Sequence, residues 1–191
     1  MTLRLATAEV VAAYIAGDPC RLAVLKTVRG LDLPDWAIGA GFVRNAVWDH
    51  LHGRQGATPV ADVDVLYFDR NGAEPARDQE LDARLSQLLP GVPWSVKNQA
   101  RMHLRNRDVP YRDTTDAIRH WLETPTAIAV RLTDQDEPEL LAPYGTADLL
   151  AMIVRPTPSG QRKPDQYRGR ILAKRMVENW PRVAVIWPVA T

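Results

Sequence analysis

The sequence has little cysteine, with Cys20 alone among its 191 residues. A single cysteine excludes a disulfide within the chain and a cysteine cluster around a metal. Apolar runs long enough to cross a bilayer are also missing. The opening Met-Thr-Leu-Arg-Leu lacks the apolar stretch and cleavage site of a secretory signal. We therefore expect a cytoplasmic protein that works without a membrane.

The net charge of the chain is close to zero. The chain has 24 Lys and Arg against 23 Asp and Glu, for a formal charge of +1. A balance this close gives no overall electrostatic reason for nucleic-acid binding. Basic residues do gather in the C-terminal third, and we interpret them as a solvated helix face, with salt-sensitive RNA binding as the alternative. They are Arg162, Lys163, Arg168, Arg170, Lys174 and Arg175.

Helix and strand patterns alternate along the chain. Asp18 followed by Pro19 predicts a helix start, and Gly30 predicts its end. Strand patterns follow at 36–38, 63–68, 94–104 and 126–132, with helical patterns between them. The order predicts an α/β (α+β) fold in which helices flank a mixed β-sheet.

The C-terminal part has a different pattern. Residues 155–164 hold three prolines, a glycine and a serine, which favours a linker. One helix over 165–179 and a strand over 183–187 should follow it. We predict a domain at 1–155 with a helical N-terminal part at 1–33. A C-terminal helix and strand at 156–191 should pack on that domain as an extension.

Asp62 and Asp64 lie at the beginning of the predicted strand 63–68. Residues two apart on a strand point to the same face, so both carboxylates can converge on one divalent cation. Mg²⁺ suits such a pair, because it binds one or two carboxylates and completes its shell with water and phosphate oxygens. Mn²⁺ is the alternative metal. Asp-x-Asp is common at strand ends, so its meaning depends on its context.

A glycine turn precedes the acidic pair. Gly39-Ala40-Gly41 joins a strand to a helix, whose first backbone N–H groups can meet an anion. Gly41 allows a phosphate to approach the backbone, and Arg44 in the first helical turn can add a charge-assisted bond. The alternative is a turn that serves only the path of the chain, with Arg44 paired at the surface.

The two motifs together resemble the signature of the DNA polymerase beta-like nucleotidyltransferase superfamily. The glycine turn, Gly39-Ala-Gly41-Phe42-Val43-Arg44-Asn45, is similar to the Gly-Gly-x-Val-Arg-Asp turn of tRNA nucleotidyltransferases and poly(A) polymerases. The chain as a whole is similar to a bacterial nucleotidyltransferase-like family of about this size. The further segments that carry this similarity are Trp48-Asp49, Tyr67-Phe68-Asp69, Trp94, residues 98–103, Pro143-Tyr144-Gly145, Lys174 and Trp180-Pro181.

This resemblance implies a reaction and a set of site residues. In the superfamily a hydroxyl attacks the α-phosphate of a nucleoside triphosphate and pyrophosphate leaves. Asp62 and Asp64 would be catalytic and hold the metal, while Gly41 and Arg44 would hold the β- and γ-phosphates. The acceptor stays open between an RNA end, a protein side chain and a small molecule. The nucleotide-binding residues would be Gly39, Gly41, Phe42, Arg44, Asn45, Asn98, Arg101 and His103.

Two departures from the superfamily pattern bear on catalysis. A third carboxylate is expected on the strand 94–104, and its predicted position holds Asn98, which cannot act as a base. Asn45 stands where tRNA nucleotidyltransferases have Asp. His103 is a possible substitute base, because its ordinary pKa suits proton transfer. Other carboxylates that folding could bring to the site are Asp113, Asp116 and Asp134.

The predicted strand 94–104 is unusually polar. On a strand, Asn98 would face one way while Arg101 and His103 face the other. These side chains could bind a base edge, ribose or phosphate, or Arg101 could neutralise Asp62 or Asp64.

The resemblance, together with its two departures, implies two candidate functions. One is a metal-dependent nucleotidyltransferase that passes a nucleoside monophosphate from a triphosphate to a hydroxyl acceptor. The other is a nucleotide- or RNA-binding protein that keeps the fold without turnover. Asn98 is the residue that separates them.

Overall fold

The computed structural model describes residues 5–189. The first four residues of the predicted N-terminal helical part and the last two of the predicted extension lie outside this range. No helix within it has the length and apolar character needed to cross a membrane.

Two short helices, α1 (Ala8–Ala16) and α2 (Pro19–Arg29), open the described chain. The Asp18 carboxylate accepts a hydrogen bond from the Arg21 N–H at 2.8 Å, and Pro19 occupies the first helical turn. Gly30 ends the helix, and its N–H donates to the Lys26 carbonyl. The predicted helix start and end are confirmed.

A mixed five-stranded sheet forms the centre of the fold. The elements of this part of the chain are β1 (Ala37–Gly39), α3 (Gly41–Leu51), β2 (Val63–Tyr67), α4 (Pro75–Leu88), β3 (Trp94–Asn98), a 3₁₀ turn (Gln99–Arg101), α5 (Met102–Asn106), α6 (Thr114–Arg119), β4 (Ala129–Leu132) and β5 (Pro138–Leu141). The strand order in the sheet is β3-β2-β1-β4-β5, in which β2 and β3 are parallel and the other pairs are antiparallel. The predicted fold class is confirmed.

The two faces of the sheet are covered differently. Val63, Val65 and Tyr67 of β2 face the main hydrophobic core. Leu66 belongs to a smaller apolar cluster against α6 and Trp121. Because side chains alternate along a strand, Asp64 shares the face of Leu66 rather than that of the main core.

The predicted strand 94–104 is wrong beyond Asn98, where β3 ends. The Asn98 side chain accepts a hydrogen bond from the Ala100 N–H at 3.0 Å and so starts the 3₁₀ turn. Side-chain bonds of this kind compete with strand pairing. Arg101 consequently lies in that turn and His103 in α5. The strand predicted over 126–132 begins only at Ala129.

The predicted linker 155–164 is also wrong, since much of it is packed. The remaining elements are α7 (Ala147–Leu150), β6 (Ile153–Val154), α8 (Pro158–Arg162), α9 (Pro164–Ala173), α10 (Met176–Asn179) and β7 (Ala184–Val185). Pro158 and Pro164 stand in the first turns of α8 and α9, where proline needs no hydrogen-bond partner. Thr157, Ser159 and Gly160 are buried.

The predicted helix 165–179 is divided in two at Arg175, which has the left-handed φ of 48°. The terminal strand is shorter than predicted, and β7 pairs in parallel with β6. Tyr167 and Trp180 belong to the main core, and the Trp180 ring packs edge-on against Trp48 at 5.3 Å. The C-terminal helices therefore pack on the same core as the sheet.

Ala40 adopts a conformation that favours glycine, with φ 55° and ψ −120°. Strain of this type costs about 1–3 kcal/mol, and a glycine costs only about 0.5–1 kcal/mol in unfolded-state entropy. We expect Ala40→Gly to raise the free energy of unfolding by about 1 kcal/mol, measured by chemical denaturation. Ala46→Gly, inside α3, is the matched control and should destabilise the protein by about 1 kcal/mol. A loss of stability in Ala40→Gly would contradict the assignment of strain.

Candidate functional site

The acidic pair lies where two pockets meet. Asp62 directly precedes β2 and its side chain is 46% exposed, while Asp64 is the second residue of β2 and is half-buried. Both residues line both pockets. Burial raises the pKa of Asp64, and the neighbouring negative charge of Asp62 raises it further. A cation bound beside Asp64 would offset the negative charge of Asp62 and so favour the charged carboxylate.

The first pocket, here called the turn pocket, has a volume of about 220 Å³. Besides the acidic pair, its lining residues include Ala40, Gly41, Arg44, Asn45, Arg170 and Lys174. The second, called the basic pocket, has a volume of about 340 Å³ and shares Arg170 and Lys174. Its other lining residues include Lys97, Arg105, His120, Trp121, Lys163 and Gln166. The acidic pair is therefore surrounded by cations.

Arg44 is buried on the wall of the turn pocket, with 4% of its surface exposed. Its Nη1 donates to the Thr126 hydroxyl at 2.8 Å and its Nη2 to the Asn45 side chain at 2.9 Å. The guanidinium carbon lies 5.4 Å from the Trp48 ring centroid and 5.9 Å from that of Trp180. Burial lowers the pKa of Arg44 to about 10, so it stays charged at neutral pH. The alternative, in which Arg44 is paired at the surface, is wrong.

The glycines of the turn have different roles. A Cβ atom on Gly39 would lie 2.8 Å from the Trp121 ring, so Gly39 is needed for packing against Trp121. The atoms nearest to a Cβ on Gly41 would belong to Asn45 and Val60, at 3.5 Å or more, which is ordinary van der Waals contact. Gly41 therefore lies open to the turn pocket. Phe42 is buried in the main core and lines neither pocket.

Asn98 lies on the other face of the sheet. In the parallel register it pairs with Tyr67, whereas Asp64 pairs with Ser95 and Leu66 with Lys97. Its amide donates to the Asp69 carbonyl at 2.7 Å and to the Gly72 carbonyl at 3.0 Å. Asn98 therefore holds a turn in place, and the β3 residues that share the face of Asp64 are Ser95 and Lys97.

The other residues of the polar segment are likewise away from the acidic pair. Arg101 forms an ion pair with the buried Asp78, and the His103 ring packs against Tyr111 at 5.9 Å. Neither residue lines the turn pocket or the basic pocket.

The carboxylates considered as a third acid do not reach the site either. Asp113 caps α6, Asp116 pairs with Arg112, and Asp134 lies in the turn between β4 and β5. Within residues 5–189 there is no group of three or more His, Cys, Asp or Glu that could hold a metal ion. The acidic pair is thus a two-carboxylate site.

Two site residues, Arg170 and Lys174, were missed by sequence reasoning. Arg170 lines both pockets and pairs with Glu123, while the Lys174 Nζ lies 3.7 Å from the Asp62 carboxylate. The four-residue spacing of Arg170 and Lys174 was the available signal, because it puts both on one helix face. A solvated face is the right description for the exposed Arg162 and Arg168. It is wrong for Arg170 and Lys174.

Solved structures with the same fold include CCA-adding enzymes. A protein whose NMR structure reveals a CCA-adding enzyme head domain aligns with a TM-score of 0.82 and 29% identity, over 93% of this chain and 94% of that one. A CCA-adding enzyme with CTP aligns at 0.61 and 15% identity, over 96% and 44%. The Thermotoga maritima CCA-adding enzyme with tRNA aligns at 0.58 and 16%, over 96% and 43%. The chain thus spans less than half the length of these two enzymes.

Sequence comparison identifies the family. No functionally curated protein matches the chain. Residues 26–185, which contain the glycine turn, the acidic pair and α9, match the sequence profile of a nucleotidyltransferase family. This match confirms the resemblance found in the motifs. The chain belongs to this nucleotidyltransferase family.

Proposed function

We propose that the protein transfers a nucleoside monophosphate from a nucleoside triphosphate to a hydroxyl acceptor. The hydroxyl oxygen forms a bond to the α-phosphorus, the bond to pyrophosphate breaks, and the hydroxyl proton is released. The observation that carries the proposal is the acidic pair, Asp62 and Asp64, enclosed by cations at the meeting point of two pockets.

The donor set fits a magnesium or manganese ion. Asp62 and Asp64 offer hard carboxylate oxygens from one side, and Mg²⁺ takes few protein ligands when phosphate and water supply the rest. These two residues would hold the ion. Bound there, it would neutralise negative charge that builds up on the phosphates during transfer.

Three cations would hold the triphosphate. Arg170 and Lys174 face the acidic pair, and Arg44 lines the turn pocket beside Gly41. A guanidinium offers phosphate two parallel hydrogen bonds, and an ammonium adds a compact charge. We assign the β- and γ-phosphates to the turn pocket, where Arg44 and the backbone at Gly41 lie together.

Nucleotide or RNA binding without turnover is the second candidate. Ser95 and Lys97 are the β3 residues on the face of Asp64, and neither is a carboxylate that could activate the hydroxyl.

The basic pocket suits a polyanion such as RNA, and one of the similar structures is a complex with tRNA. An RNA end is therefore the first acceptor to test, ahead of a protein side chain or a small molecule.

Calorimetric titration of the four ribonucleoside triphosphates, with and without Mg²⁺, tests the site. We expect binding in the micromolar range that requires the metal. Release of pyrophosphate on addition of an RNA acceptor would then support transfer over binding alone. Absence of binding under every condition would refute the proposed site.

Arg170→Gln should weaken Mg²⁺–ATP binding about tenfold, because a hydrogen bond to a charged group contributes about 1.5–3 kcal/mol. Arg168→Gln is the matched control, since Arg168 lies on the same helix, is exposed and lines neither pocket. Both variants remove one positive charge, so an equal loss would show that only net charge matters. Calorimetry at one fixed salt concentration makes the comparison.

A further inference from the structure

Glu123 is a fully buried acid beside the candidate site. It lies between α6 and β4, and its surface is 0% exposed. Its carbonyl accepts hydrogen bonds from the N–H groups of Thr126 at 3.1 Å and Ala127 at 2.9 Å, which fixes a tight turn. The turn is held from the other side by a β-bridge between Glu123 and Pro156.

This turn contacts two of the arginines that line the turn pocket, Arg44 and Arg170. The Glu123 carboxylate lies 3.0 Å and 3.2 Å from the Nε of Arg170 through its two oxygens. Three residues later, the Thr126 hydroxyl accepts from Nη1 of Arg44 at 2.8 Å. Arg170 comes from α9 and Arg44 from α3, so one turn joins two helices across the pocket.

The arrangement is costly as a purely structural device. Burying a carboxylate requires that ion pairs and hydrogen bonds replace its water, and apolar residues of similar size often give a more stable core. Among residues 5–189, the Oε1 atom of Glu123 has the Arg170 ion pair but no partner of hydrogen-bond geometry. The negative charge of Glu123 also supports the charged form of Arg44.

We propose that Glu123 is a positioning residue that fixes Arg170, and through the same turn Arg44, at the separation that holds a nucleoside triphosphate. The contact to Glu123 is made through Nε of Arg170, so its two Nη groups are the ones directed to phosphate. The inference rests on the proposed function, because it assigns the two arginines to the triphosphate.

A double-mutant cycle on the full chain tests this role, with Mg²⁺–ATP and Mg²⁺–CTP as probes. Glu123→Gln should weaken binding about tenfold, close to the effect of Arg170→Gln, because it acts through that arginine. In the Arg170→Gln background, Glu123→Gln should then add less than about twofold. Full multiplication of the two losses, or unchanged affinity in Glu123→Gln, would overturn the inference.

Further measurements separate positioning from folding. A purely structural acid would lower the melting temperature without changing affinity, so both are measured on each variant. Should Glu123→Gln not fold, Glu123→Asp provides the test: it keeps the charge but shortens the side chain that contacts Nε of Arg170, and we expect a loss near that of Arg170→Gln. Wild-type affinity in Glu123→Asp would overturn the inference alone. A wild-type protein that binds neither probe would overturn the proposed function and this inference together.

Discussion

Changing Asp62→Asn together with Asp64→Asn is expected to abolish metal-dependent nucleotide binding and leave the fold intact. Both carboxylates line both pockets, and they are the acids that could hold the ion against the phosphates. We expect a loss of at least about a hundredfold in affinity, since removal of even an outer partner of a metal ligand costs about 10- to 100-fold. Calorimetry with Mg²⁺–ATP measures it.

In the absence of ligand, the melting temperature of the double variant should be no lower than that of the wild type. Burial raises the pKa of Asp64, which means that its charged form is disfavoured in the folded state, and Asn removes that charge. Asp165→Asn is the control, because Asp165 is exposed and lines neither pocket. Unchanged nucleotide affinity in the double variant would reject the acidic pair as the site.

Trp180→Ala should have the largest effect on stability. The ring is 1% exposed, packs against Trp48, and donates from Nε1 to the Asp49 carboxylate at 2.8 Å. Truncation of a buried tryptophan costs about 3–5 kcal/mol, and here it also removes a partner of the buried Asp49. Urea denaturation followed by circular dichroism measures the loss.

Trp187→Ala provides the matched comparison, since its ring is 45% exposed and contacts Tyr167 at 6.2 Å. We expect it to cost less than about 1 kcal/mol. Because Trp180 joins α3 to the C-terminal segment, unfolding should remain one transition in the wild type. A separate early unfolding transition of the C-terminal segment, together with little effect of Trp180→Ala on the main unfolding transition, would contradict a shared core.

Local patterns were sufficient for much of the fold. The cap at Asp18, the apolar run of β2 and the glycine turn before α3 depend on neighbours within a few residues, so the sequence reveals them directly. The strand predicted over 94–104 failed because one side chain, Asn98, ends it by a hydrogen bond to Ala100. The prediction of a linker over 155–164 failed because proline is common both in linkers and in the first turn of a helix.

For the candidate site, the sequence by itself determined that the two carboxylates share one face, because the two-residue period of a strand is fixed by covalent geometry. It also determined the family, through the turn and the pair together. The partners of the pair were decided only by tertiary structure. Arg170 and Lys174 follow Asp62 by more than a hundred residues, and no local rule brings them to it.

The orientation of Asn98 was likewise settled only by folding. Its pairing with Tyr67 in the parallel register turns it away from Asp64, and the register depends on how α4, which connects β2 to β3 along the chain, packs on the sheet. Glu123 could not be singled out among 23 acidic residues, because burial is a property of the folded chain. Periodicity fixes which side chains share a face, whereas packing alone decides which faces meet.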